Sequence, residues 1–246
     1  MKVLIALMGQ RDLALVFAVR FSDAFLLNLL LGETKALASI SGPIEVRLAA
    51  ENPSRASFEV SIRPLSGVPG TDAKSLSYTM RSLLSPSLIL TQYPRALLQL
   101  VVQSLTPSPS TMFRPSLVAA MINASSLALL NAGSIQMRGV VCAVSIGSLS
   151  SRLVLDPNEK EFASLDTGGC FAFMFTSSGA QVVWNNWQSS ASFSENDLEN
   201  AINLALQGAK SVWAAMKASV GAMGTRKVIL ASGSLVDSDD SGDEEV

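Results

Sequence analysis

Residues 116–131 carry no charge and are dense in Ala, Leu, Ile and Met. Pro115 stands in front of this run and Gly133 just beyond it. That asymmetry belongs to a helix, because proline gives up an N–H the first turn cannot use and glycine adopts the left-handed conformation that ends it. The helix is apolar nearly all round, so it must be buried on most sides. The rest of the chain has to be arranged to enclose it.

Around this helix the periodicity changes repeatedly. Short strands are expected over 35–41, 45–49 and 57–63, with turns at Gly42-Pro43 and Asn52-Pro53. The Pro- and Gly-rich stretch 63–70 reads as a loop, and 72–84 as a helix with Leu76, Met80, Leu83 and Leu84 on one side. A buried strand is expected over 96–105, a loop over 106–110, and further strands over 140–146, 152–155, 170–175 and 181–184. A second long helix spans about 194–220, with Ser194 and Asp197 forming a cap. Its stripe of Leu198, Ile202, Ala205, Ala209, Val212, Trp213 and Met216 reads as core packing. Strands, helix, strand, helix, strands, helix is the order of an α+β domain.

Composition narrows the function classes. The chain has no histidine, which excludes a Ser-His-Asp triad, a Cys-His pair and a histidine-ligated zinc. Cys142 and Cys170 lie in apolar strands and read as buried free thiols in a reducing compartment. Apolar residues make up 48% and charged residues only 15%, so apolar surface is expected to be covered by partners. The segment 235–246 holds Asp237, Asp239, Asp240, Asp243, Glu244 and Glu245 and no base. Setting those six aside leaves 14 acids against 18 Lys and Arg, a mildly basic body that tolerates polyanions. The acidic tail is expected to be disordered, with Ser234, Ser238 and Ser241 among its acids. Near the N-terminus, Gln10, Arg11, Asp12, Arg20 and Asp23 interrupt the apolar runs. No stretch reaches the roughly 18 uninterrupted apolar residues of a membrane span, and a soluble intracellular chain is expected.

Gly42-Pro43-Ile44-Glu45, Arg63-Pro64, Tyr93-Pro94-Arg95 and Ile122-Asn123-Ala124-Ser125-Ser126-Leu127-Ala128-Leu129 occur in an order and spacing that resembles the RNase PH family. Leu153-Val154-Leu155-Asp156-Pro157 follows at the matching distance, and the resemblance covers roughly 32–220. Within the family the chain is similar to ring subunits of the eukaryotic RNA exosome. The resemblance implies a βαβα core with left-handed crossovers, like domain 2 of ribosomal protein S5. It implies six such domains around a pore, serving as scaffold and RNA guide for 3'-to-5' processing and degradation. The implied partners are other RNase PH-like ring subunits, S1/KH cap subunits, an associated hydrolytic ribonuclease and single-stranded RNA, with no cofactor and no membrane. The implied locations are nucleus, nucleolus and cytoplasm. The domain itself is expected over 22–230, with 1–21 an unmatched extension and 231–246 the acidic tail.

The resemblance also implies where chemistry belongs. Phosphorolytic members hold phosphate with an Asp-Gly-Gly-Thr-Arg stretch before the Asn-Ala helix. Here that stretch falls on Arg114-Pro115-Ser116-Leu117-Val118, so leucine and valine replace the hydroxyl and the guanidinium. Two catalytic Asp positions fall near Phe162 and Gly168, and Asp156 is expected to fix the turn with Pro157. The chain is therefore expected to be catalytically inactive. The alternative is an autonomous homodimeric 3'-to-5' exoribonuclease with a rearranged site of Glu159, Glu161 and Asp166. Arg95 is the family position that faces substrate phosphates, with a structural salt bridge as its other reading. Arg63, Lys74 and Arg81 are candidates along an RNA path, or solvated surface. For Trp184 and Trp187, packing at a subunit interface is expected over stacking on bases.

Overall fold

In the computed structural model, the described residues are 2–8, 17–20, 34–48, 51–106, 114–149, 152–157, 165, 167–189 and 194–233, with side chains described between 34 and 221. Period-two alternation builds the first sheet. In β3 (Thr34–Glu45) it buries Ala36, Ala38 and Ile40, and in β5 (Ala96–Ser104) it buries Leu98, Leu100, Val102 and Ser104. β3 and β5 are antiparallel, and β4 (Ser57–Arg63) lies parallel to β5. The register sets Ala38, Val102 and Ile62 in one row and Ile40, Leu100 and Val60 in the next, so one face of three strands becomes apolar. Strands β1 (Lys2–Met8) and β2 (Phe17–Arg20) complete the order β2-β1-β3-β5-β4.

Helix α1 (Thr71–Leu84) makes the crossover between the parallel strands and packs against β4. Two short 3-10 turns, Ser85–Ser87 and Leu90–Gln92, lead on to β5. Helix α2 (Pro115–Ala132) begins with proline and ends at Gly133 with φ 65°, as the flanking residues require. It packs against β3 and β5 of the first sheet and against β6 (Val140–Leu149) and β8 (Thr167–Thr176) of a second. By length and composition α2 is apolar enough to cross a membrane, which the uninterrupted-run criterion did not register. Here its apolar residues from Leu117 to Leu129 are buried between two sheets.

The second sheet is antiparallel, ordered β10-β8-β6-β7 with β9 also paired to β8. Its remaining strands are β7 (Arg152–Leu155), β9 (Gly179–Asn185) and β10 (Gln188–Ser189). Helix α3 (Glu195–Gly233) packs on β6, β7 and β8. Its Met216 Sδ lies 3.7 Å from Cys142 Sγ. The layers thus run sheet, α2, sheet, α3. β6 is buried from Val140 to Gly147, because it has helices on both sides.

The buried polar residues of α2 have a specific task. β7 pairs with β6 only from Ile146 to Leu149, which leaves the earlier part of β6 without a strand neighbour on that edge. Asn123 fills the gap: its Nδ2 donates to the Ala143 carbonyl at 2.7 Å, and the Ala143 N–H donates to its Oδ1 at 2.8 Å. Ser126 donates to the Val141 carbonyl in the same way. Backbone groups that a dry interior would otherwise orphan are paired by side chains.

Two local expectations are corrected. Gly42-Pro43 does not separate two strands. β3 runs through it with a register shift between Ser41 and Ile44, and Ile44 and Glu45 still pair with Leu97 and Ala96. Gly42 has φ 144°, and a Cβ there would lie 2.7 Å from Leu98 Cδ2 and 2.8 Å from the Leu97 carbonyl oxygen. The glycine permits an irregularity within the strand. Of the strand expected over 45–49, the described residues 46–48 form none, since pairing stops at Glu45. The last helix continues past 220, to Gly233. The Asn52-Pro53 turn is present, and Asn52 Oδ1 accepts the Ser54 N–H at 3.1 Å.

Candidate functional site

At the start of α2, Arg114 is the N-cap in extended conformation and makes no side-chain cap bond, while its carbonyl accepts the Val118 N–H at 3.0 Å. Leu117 and Val118 are 3% and 5% exposed. An anion bound at a helix start needs aligned N–H groups and preferably a hydroxyl or guanidinium. Here Pro115 lacks the N–H, and the side chains of Leu117 and Val118 belong to the core.

The second half of the inherited position lies after β7. Asp156 has φ 50°, donates its N–H to the Ser145 carbonyl at 2.9 Å, and accepts the Ser145 hydroxyl on Oδ1 at 2.8 Å. Burial pushes its carboxyl above the ordinary range, while the Ser145 hydrogen bond opposes the shift. Asp156 therefore holds the turn before Pro157, as expected. Gly168 pairs with Gly147 in β8 and β6. Leu165 lies so close over Gly147 that a Cβ there would sit 2.6 Å from its methyl groups. Glu159, Glu161, Phe162 and Asp166 lie outside the described residues, as does the tail with its serines. Among the described residues no three His, Cys, Asp or Glu side chains gather as a metal site.

The four basic candidates do not form one patch. Arg63 pairs with Gln103 at one end of the parallel pair, whereas Arg95 directly precedes Ala96 at the other. Gln103 lies eight positions beyond Arg95, so the two ends are about 26 Å apart. Lys74 and Arg81 are both exposed on α1, about 10 Å apart along its axis. The crossover topology puts Lys74 toward the Arg63 end and Arg81 toward the Arg95 end. Arg95 also has a structural partner. Its Nε lies 3.1 Å from Glu51 Oε1, with the two side chains 71% and 24% exposed, and its N–H donates to the Asn52 carbonyl. Its φ of 61° is uncommon for a residue with a side chain.

Trp187 packs 5.7 Å from Phe171, and its Nε1 is buried with no partner among the described residues. Trp184 is half-buried and packs against the core. Cys142 and Cys170 are buried free thiols, with the Cys142 thiol pushed up to about 12 by burial and that of Cys170 further still. A feature that the one-dimensional reading did not find is a cavity of about 600 Å³ between α2, β8 and α3, with Arg138, Lys210 and Trp213 in its wall. These residues come together from segments more than seventy positions apart, and only the apolar stripe containing Trp213 was legible.

The 3' exoribonuclease family, domain 1, matches residues 28–134. The chain is 29% identical over 180 residues to exosome complex component RRP46 of Saccharomyces cerevisiae, covering 71% of this chain and 80% of that one. It is 30% identical over 191 residues to exosome complex component Rrp41 of Thermococcus onnurineus, covering 74% and 72%. The crystal structure of rice (Oryza sativa) Rrp46 superimposes with a TM-score of 0.68 at 25% identity, covering 78% of this chain and 86% of that one.

Proposed function

The chain belongs to the 3' exoribonuclease family, and from that membership we propose that it is a non-catalytic ring subunit of the RNA exosome, of the Rrp46 type. The observation that carries this reading is the first turn of α2. Where the resemblance puts a phosphate-binding hydroxyl and guanidinium, Leu117 and Val118 are packed into the core. The kinship with components named Rrp46 and Rrp41 supports membership of the assembly. Exposed apolar side chains support a surface made for neighbours: Leu48 is 89%, Val68 90% and Tyr78 74% exposed.

In this role the chain shapes part of a pore and guides single-stranded RNA, with other RNase PH-like subunits beside it, S1/KH subunits above it and a hydrolytic ribonuclease supplying the chemistry. Its work is then ribosomal RNA processing, surveillance and messenger turnover in nucleus, nucleolus and cytoplasm. Arg95 is the position proposed to meet an RNA phosphate, since its side chain stays 71% exposed beside Glu51 and is open to a second anion.

The test pairs assembly with activity. Coexpression with another RNase PH-like ring subunit should give a soluble heterodimer, and the chain alone should release no nucleoside diphosphate from single-stranded RNA in phosphate buffer. Phosphorolysis by the pure chain, abolished by Glu161→Gln or Asp166→Asn, would instead establish an autonomous exoribonuclease.

A further inference from the structure

The cavity beside Trp213 sits at the far end of α2 from Leu117 and Val118, and no part of the proposed scaffold role uses it. Leu130 closes the end of α2, Met137 and Val140 form one wall, and Phe175 stacks on Trp213 with ring centroids 5.9 Å apart and planes 17° apart. This floor is apolar. The rim is cationic: exposed Arg138 enters from the segment before β6 and exposed Lys210 from α3, and Lys217 Nζ lies 5.3 Å from the Trp213 ring centre.

The charge is one-sided at a larger scale. Every residue of the wall comes from 115–155, 167–194 or 200–236, and those three stretches contain no Asp or Glu at all. Among the described residues neither Arg138 nor Lys210 makes an ion pair. Two cations in the wall of an apolar hollow and a third over its Trp213 ring, with no acid paired to Arg138 or Lys210 among the described residues, call for an anionic ligand that also has something apolar to bury.

We propose that this cavity is a docking site for an acidic peptide segment of a partner protein, which inserts one aliphatic or aromatic side chain against Phe175 and Trp213 while its carboxylates meet Arg138, Lys210 and Lys217. A nucleic acid fits less well. Base binding needs a free aromatic face and polar groups to read base edges, but Trp213 is engaged by Phe175 and Lys217. The Thr176 hydroxyl in the wall is already bonded to Ser178 and to the Gly179 carbonyl. The volume suits one or two side chains, and the rim suits their acidic neighbours.

The experiment is fluorescence anisotropy of the full chain with three labelled probes: a peptide with glutamates on both sides of a central Leu-Phe pair, the same peptide with glutamines, and oligouridylate. The acidic peptide should bind about tenfold tighter than the neutral one. Arg138→Glu and Lys210→Glu, both at exposed positions, should each weaken it about fivefold, while Arg81→Glu on α1 leaves it unchanged. Equal binding of the neutral peptide, or indifference to both reversals, overturns the proposal. Oligouridylate that displaces the peptide and shows the same sensitivity reassigns the cavity to RNA. Tighter peptide binding by a chain ending at Gly233 would show that the acidic tail 234–246 is the occupant, which also overturns it.

Discussion

Ser145 and Asp156 grip each other twice: the serine hydroxyl donates to the aspartate Oδ1 at 2.8 Å, and the aspartate N–H donates to the serine carbonyl at 2.9 Å. The carboxyl that resembles the edge of a catalytic segment is thereby turned inward, toward β6.

This pairing has a pH signature. Burial raises the Asp156 carboxyl, so the folded chain holds its proton to higher pH than the unfolded chain does. Between the ordinary carboxylate range and that raised value the native state binds more protons, and stability falls as pH rises through the window. Asp156→Asn keeps an acceptor for Ser145 and tolerates the positive φ. Its melting temperature should exceed that of the natural chain at pH 7, and the advantage should vanish below pH 4. Thermal melts at several pH values check this.

Asn123 should be among the costliest polar positions. Asn123→Ala leaves the Ala143 N–H and carbonyl buried without partners, a loss of about 2–4 kcal/mol. Asn123→Asp should be no better at neutral pH, since it brings a charge to a site 1% exposed. Urea unfolding of the chain in its heterodimer measures both.

Restoring the phosphorolytic residue types should not restore phosphorolysis. In Leu117→Thr with Val118→Arg, a guanidinium must enter a site 5% exposed, at a cost of several kcal/mol. The double variant is expected to lose solubility or melt far lower, without gaining nucleoside diphosphate release. An active, stable double variant would show that the site is nearly intact.

Arg95→Ala should cost about 1 kcal/mol, because the guanidinium side of the ion pair is 71% exposed although Glu51 is only 24% exposed. Arg95→Gly should be more stable than Arg95→Ala by up to about 1 kcal/mol, because only glycine is unstrained at φ 61°. If an assembled ring uses this residue on RNA, the salt slope for single-stranded RNA falls by about 0.7 in either variant.

What could be read in one dimension was whatever has a local period or a local cap. Pro115, Gly133 and the uncharged run between them specify helix α2 and its burial, because a helix without a polar face has no stable place at a surface. The residues at the positions where the resemblance puts phosphate-binding side chains were equally legible, since Asn123-Ala124 anchors the register and Leu117 and Val118 then follow by counting. What those periods leave open is the partner set against each face. The bulge at Gly42-Pro43 continues β3 because β5 is there to pair with Ile44 and Glu45. The basic candidates divide between two ends because β4 and β5 are parallel, which separates Arg63 from Arg95 by the length of a strand. The cation-rimmed cavity exists only because α3 lies across the second sheet, bringing Lys210 and Trp213 beside Arg138. Hydrophobic burial is non-directional. It requires that apolar faces be covered, and the pairing of strands and the packing of α3 decide which side chains meet at the edges of what is covered.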